Sequence, residues 1–162
     1  MMLRLLLLAF LGFILTTSLV MAKPDRILVK KSHHELLLLD HGRVLKRYKV
    51  ALGGTPVGRK RTRGDHRTPE GLYVIDAHNE ASHYHLSLHV SYPNQDDRRR
   101  ARARHADPGG DIFIHGLPNT FPSSVPLVAL GDWTDGCIAV SNADIEEIAA
   151  LVEDGTVIEI RP

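Results

Sequence analysis

The chain has 162 residues, with 20 Lys+Arg against 19 Asp+Glu, ten His and a single Cys. That is enough for one domain and short for two. The even charge balance excludes a global electrostatic drive toward nucleic acid. The lone cysteine excludes an internal disulfide, so a packed core must supply the stability.

Met1 to Ala22 reads as a processing signal. Arg4 supplies positive charge, Leu5 to Leu15 is apolar apart from Gly12, and Thr16, Thr17 and Ser18 follow. Val20-Met21-Ala22 then places small residues at the minus-three and minus-one positions of a cleavage site. The expectation is export to the periplasm or cell envelope, cleavage after Ala22, and one domain over residues 23–162. The alternative is an uncleaved anchor, since Leu3 to Val20 approaches spanning length. Such an anchor would be the chain's membrane contact. Removing Arg4 with this segment leaves as many basic as acidic side chains, so the remainder is formally neutral.

Ile27-Leu28-Val29 opens a strand, and Glu35 to Asp40, with four leucines, gives a second. His41-Gly42 predicts a tight turn into a third strand, Arg43 to Leu52. Gly53 to Asp65 is loop, and its Arg59-Lys60-Arg61-Thr62-Arg63 run reads as solvated surface, with an anionic envelope partner as the alternative. Thr68-Pro69-Glu70-Gly71 is a turn before the strand Leu72 to Ala77. Another strand is expected from His83 to Ser91. Asn94 to His105 predicts an Arg-rich surface helix, and Asp111 to His115 a buried strand.

Leu117 to Gly131, with three prolines, is irregular and is expected to form a substrate-facing lid. Ile138 and Val140 alternate like a strand. Ser141-Asn142-Ala143-Asp144 is a variant capping box opening a helix over Ile145, Ile148, Ala149 and Val152, stopped by Gly155. Thr156 to Ile160 closes the domain as a strand.

The chemistry concentrates at Thr134-Asp135-Gly136-Cys137. Cys137 is either an inert buried filler or a nucleophile. Gly136 lets backbone approach a substrate. His115, delivered by its strand and followed by Gly116, is the candidate base, because thiolate is the reactive form and a nearby imidazole takes its proton. His83, His85 and His89 would share one face of their predicted strand. With Cys137 they could in principle hold zinc, but Cys-x-x-Cys and His-Glu-x-x-His are missing, and the expectation is no metal and no cofactor. Gly-x-Ser-x-Gly is also missing, and neither Gly53-Gly54 nor Gly109-Gly110 begins a phosphate loop.

The order Gly64-Asp65, Thr68-Pro69-Glu70-Gly71, Ser91-Tyr92-Pro93-Asn94, Ile114-His115-Gly116, Thr134-Asp135-Gly136-Cys137 resembles the L,D-transpeptidase catalytic domain of YkuD type, over about Asp25 to Arg161. The resemblance implies a mainly β, sandwich-like fold with one or two short helices. It implies a thiol acyltransferase acting on peptidoglycan stem peptides. Cys137 would attack the bond between diaminopimelate and terminal D-alanine, D-alanine would leave, and an amine of a neighbouring stem would resolve the acyl-thioenzyme into a 3-3 cross-link. His115 would serve as base and acid, the Gly116 carbonyl would orient its ring, and N–H groups of Gly136 and Cys137 would hold the oxyanion. Thr134 and Asp135 complete the motif and, with Gly136, are the expected oxyanion and substrate-binding residues. Two positions depart from the family pattern: Asp135 stands where His is frequent, and Ala139 where Arg or Asn is common. The spacing of His115 and Cys137 is long, which suggests an insertion at Leu117 to Gly131. Such departures leave a same-fold hydrolase, either an L,D-carboxypeptidase or an amidase, and a non-catalytic envelope-binding module as alternatives.

Overall fold

The computed structural model describes residues 22–122 and 124–162. The predicted signal, cleaved or not, lies almost wholly outside the described residues. Eight strands form one curled sheet: β1 (Arg26–Lys30), β2 (Glu35–Asp40), β3 (Arg43–Lys49), β4 (Gly71–Asn79), β5 (Ser87–Val90), β6 (Ile112–His115), β7 (Ile138–Ala139) and β8 (Val157–Arg161). Two helices, α1 (Gln95–Arg102) and α2 (Asn142–Leu151), complete a mainly β architecture.

The leucine run of β2 does not alternate because both of its faces are covered: Leu36 to Leu39 are all buried. His41 and Gly42 both take positive φ (49° and 82°), the geometry of a two-residue hairpin that keeps β2 and β3 twisted together. The sheet order is β3-β2-β1-β8-β4-β5-β6-β7, with parallel strand pairing at β1/β8 and β6/β7 and antiparallel pairing between the other neighbouring strands described. Ile27, Leu38, Ile75, Leu88, Ile114, Ile138 and Ile158 are fully buried in one core, which α2 closes with Ile145 and Ile148. Each such side chain contributes about 1.5–3 kcal/mol by leaving water.

β3 ends at Lys49, earlier than expected, because its continuation changes partner. Ala51 exchanges two 2.9 Å backbone hydrogen bonds with Ala139, Thr134 N–H donates to Leu52 O, and Gly54 N–H to Thr134 O. The two ends of the sheet order are thereby joined through residues 51–54. The predicted strand His83 to Ser91 also shrinks. Residues 83–86 turn, His85 has φ 68°, and pairing begins at Ser87. His83, His85 and His89 therefore share no strand face: His85 Nε2 pairs with Glu146, and His89 Nδ1 with Asp76.

Helix α1 carries a full capping box in which Asn94 and Asp97 satisfy each other's backbone N–H groups. At α2 the Ser141 hydroxyl accepts from Asp144 N–H (3.1 Å), without a reciprocal bond. That helix ends at Leu151, before Gly155, since Val152 is already extended (ψ 130°). The basic loop is not wholly solvated. Lys60 is buried, with its Nζ 2.8 Å from Asp65 Oδ1. Lys31, also buried, donates to Glu70 Oε1 (2.8 Å), Gly58 O and Thr68 O, and so ties the Thr-Pro-Glu-Gly turn to the end of β1. Among the described residues, no helix is long and apolar enough to cross a membrane.

Candidate active site

Strand pairing brings the two predicted reactive residues together. β6 and β7 run parallel with Ile114 opposite Ile138 and His115 opposite Ala139. Cys137, one residue before β7, is thus level with Phe113. Successive side chains on a strand point to opposite faces, so the two isoleucines enter the core while Phe113, His115 and Cys137 share the other face. His115 and Cys137 line the same cleft of about 540 Å³, with Tyr84, Asp111, Phe113 and Trp133.

The imidazole is held on three sides. Its Nδ1 lies 2.7 Å from Gly116 O, and a carbonyl only accepts, so Nδ1 carries the proton and Nε2 the lone pair. Tyr84 lies against the ring at 4.5 Å between centroids, and Trp133 meets it edge-on at 5.7 Å. Gly116 is fixed by close approach: a Cβ there would stand 2.7 Å from Asn142 Oδ1. Trp133 Nε1 is buried with no hydrogen-bond partner among the described residues.

Both groups rest uncharged near neutral pH. Burial pushes the Cys137 thiol up to about 11; a hydrogen bond from Phe113 backbone opposes this, the Asp135 and Asp111 carboxylates add to it, and Lys60 opposes it. Burial lowers the His115 pKa below its ordinary 6.5, against the hydrogen bond to Gly116. The thiol donates to Asp111 O at 3.5 Å. Such a pair is a neutral acid beside a neutral base, so a proton moves only when an electrophile takes the sulfur's electrons.

Thr134 shapes the cysteine loop from within. Its buried hydroxyl donates to Cys137 O (2.8 Å) and accepts from Gly136 N–H (3.1 Å). The Gly136 N–H, expected to face an oxyanion, donates to the Thr134 hydroxyl in this arrangement. The Cys137 N–H has no partner among the described residues. Gly136 has φ 126°, and a Cβ there would lie 2.6 Å from Arg67 O. That contact seats the loop 64–67 against the cysteine turn and brings His66 Nδ1 to 2.7 Å from Asp135 Oδ1.

The loop Leu117 to Gly131 is not a lid over this cleft: its described residues do not line it, and Leu127, Val128 and Gly131 face a separate hollow with His34 and Val50. The turn between β4 and β5 takes that place, with Asn79, Ser82, His83 and Tyr84. Sequence reasoning missed Tyr84, Trp133 and His66. The one tryptophan of the chain, adjacent to Thr134, was the available signal for the second; nothing local marks the others. Asp25, Asp40 and His41 are close enough to share a cation among the described residues, but they line neither this cleft nor its neighbours.

The family model for the L,D-transpeptidase catalytic domain (YkuD) matches residues 24–160. The chain is 27% identical over 139 residues to the "Putative L,D-transpeptidase YafK" of Escherichia coli K12, covering 82% of the chain and 49% of that protein. Among solved structures it is similar to the helical cell shape determining protein Pgp2 of Campylobacter jejuni, with TM-score 0.64 and 26% identity over 84% of this chain and 46% of that one. Bd1075 of Bdellovibrio bacteriovorus gives TM-score 0.59 and 26% identity over 86% and 48%. The chain thus spans about half the length of the curated relatives it matches.

Proposed function

The chain belongs to the YkuD family of L,D-transpeptidase catalytic domains, and we propose that it is an envelope enzyme in which Cys137 carries a peptidoglycan stem peptide as a thioester. His115 Nε2 takes the thiol proton as sulfur bonds to the carbonyl carbon of the diaminopimelate–D-alanine bond. The same nitrogen then gives that proton to the departing D-alanine amine. The Cys137 N–H faces the developing oxyanion, a donor worth roughly 3 kcal/mol in acyl enzymes. The observation that carries this reading is the placement of a lone-pair-bearing Nε2 and the thiol on one face of adjacent strands, lining one cleft.

An amine of a second stem then resolves the thioester into a 3-3 cross-link. A second reading, transfer to water, rests on the departures from the family pattern at Asp135 and Ala139. Muropeptide analysis of cells with and without the protein tests both. New links between third residues support the transpeptidase; tetrapeptides trimmed to tripeptides without new links support the hydrolase. An unchanged profile would leave a silent envelope-binding module and overturn both.

A further inference from the structure

Cys137 is not confined to the aromatic cleft. A second cleft of about 350 Å³ also reaches this residue, lined by Lys60, Arg63, His66, Asp111, Asp135 and Cys137. His115, Tyr84 and Trp133 do not line it. Its two cations are already committed, Lys60 Nζ to Asp65 Oδ1 at 2.8 Å and Arg63 Nε to Asp107 Oδ2 at 2.7 Å. It is therefore not an anion trap. What it offers is the half-exposed imidazole of His66, whose Nδ1 is tied to Asp135 Oδ1 while its Nε2 has no partner among the described residues.

This arrangement repeats the logic found at His115, where one ring nitrogen is anchored by an acceptor so that the other is available. The anchor here is the Asp135 carboxylate, which fixes the orientation of the ring. The backbone is built to place this ring. His66 has φ 52°, its carbonyl accepts from Thr55 N–H (2.9 Å), and a Cβ on Gly53 would come within 2.3 Å of that carbonyl. Glycines at 53 and 136 thus admit residues 66–67 against the cysteine turn.

We propose that His66, positioned by Asp135, is a second catalytic residue: it activates the acceptor that removes the acyl group from Cys137, while His115 serves acylation. The inference rests on the acyl-thioenzyme reading above. In the step, His66 Nε2 takes a proton from the attacking water or neutral amine as its oxygen or nitrogen bonds to the thioester carbonyl carbon. The C–S bond breaks, its electron pair stays on sulfur, and the proton on His66 passes to the sulfur through the acceptor side, restoring thiol and neutral imidazole. The two clefts thereby separate leaving group and acceptor by direction of approach.

The test follows the mass of the intact full chain during incubation with a tetrapeptide stem ending in diaminopimelate–D-alanine, with and without an added amine. His66→Gly is the informative variant, because position 66 already sits in the left-handed region that glycine tolerates. His66→Asn, also tolerated there, serves if the glycine variant does not fold. The expected result is acylation at the wild-type rate, a thioester that persists about a hundredfold longer, and recovery of deacylation when imidazole is added to the glycine variant. A purely structural role would not be rescued. A thioester clearing at the wild-type rate overturns the role of His66 and leaves the acyl-enzyme reading intact. Loss of acylation in a folded variant overturns the division of labour. Absence of both adduct and turnover in the wild-type chain overturns the acyl-enzyme reading itself.

Discussion

The run β3-β2-β1-β8-β4 and the run β5-β6-β7 belong to one sheet but are stabilised differently. In the first, β1 and β2 bury leucines on both faces, and Lys31 knots the Thr-Pro-Glu-Gly turn to the strand end. In the second, Ile112, Ile114 and Ile138 face the core while Phe113, His115 and Cys137 face a cleft. Covering both faces gives stability and leaves no surface for a ligand. Covering one face gives up some of that stability and exposes positions for chemistry. The two runs should therefore respond oppositely to mutation.

The largest effect is expected from Cys137→Ser, which should lower turnover by about 10⁴-fold or more with the melting temperature unchanged. Full turnover by that variant would assign the nucleophile elsewhere. Lys31→Met should do the reverse. Leaving Glu70 without its buried partner costs about 3 kcal/mol, read in urea unfolding, with activity per folded molecule retained. Adding Glu70→Gln should recover part of the loss; a single variant as stable as wild type would remove the knot from the account.

A smaller effect is expected where the second run holds its imidazole. Tyr84→Ala takes away the face that the His115 ring packs against and should lower kcat about ten- to a hundredfold with stability nearly kept. Proton balance gives the subtlest predictions. Because burial depresses the His115 pKa, its neutral form persists below pH 6.5, so the acid limb of kcat/KM should have its midpoint under that value. A midpoint above it would show that a different group governs the limb. Asp135→Asn removes a charge that raises the thiol pKa, so the pH midpoint of Cys137 alkylation should move down. An unmoved midpoint would show that the carboxylate does not reach the sulfur.

The same contrast governs what was readable in advance. β1, β2, the His41-Gly42 turn, β4, β6 and β8 announce themselves through local patterns, and the ordered motifs around Thr68, His115 and Cys137 carry the family. The end of β3 was misplaced because Val50 to Leu52 keeps a strand's composition while its partner changes to β7, a contact 88 positions away at Ala51 and Ala139. The turn at residues 83–86 was hidden because histidines and tyrosine suit strands as well as turns. His66 sits in a polar loop, and only the bare backbones of Gly53 and Gly136 bring it beside Asp135. Lys60 looked solvated because its partner, Asp65, is revealed only when the loop folds back.

The pair of hydrogen bonds between Ala51 and Ala139 carries one more consequence. The peptide bearing the sulfur has neighbours on both flanks, β6 on one and residues 51–54 on the other. A residue inserted between Val50 and Gly54 would shift that flank by a step and should silence the thiol from a site far away in sequence. The same insertion between Pro126 and Ala129, where the chain lines no wall of the reaction cleft, should pass unnoticed in an activity assay.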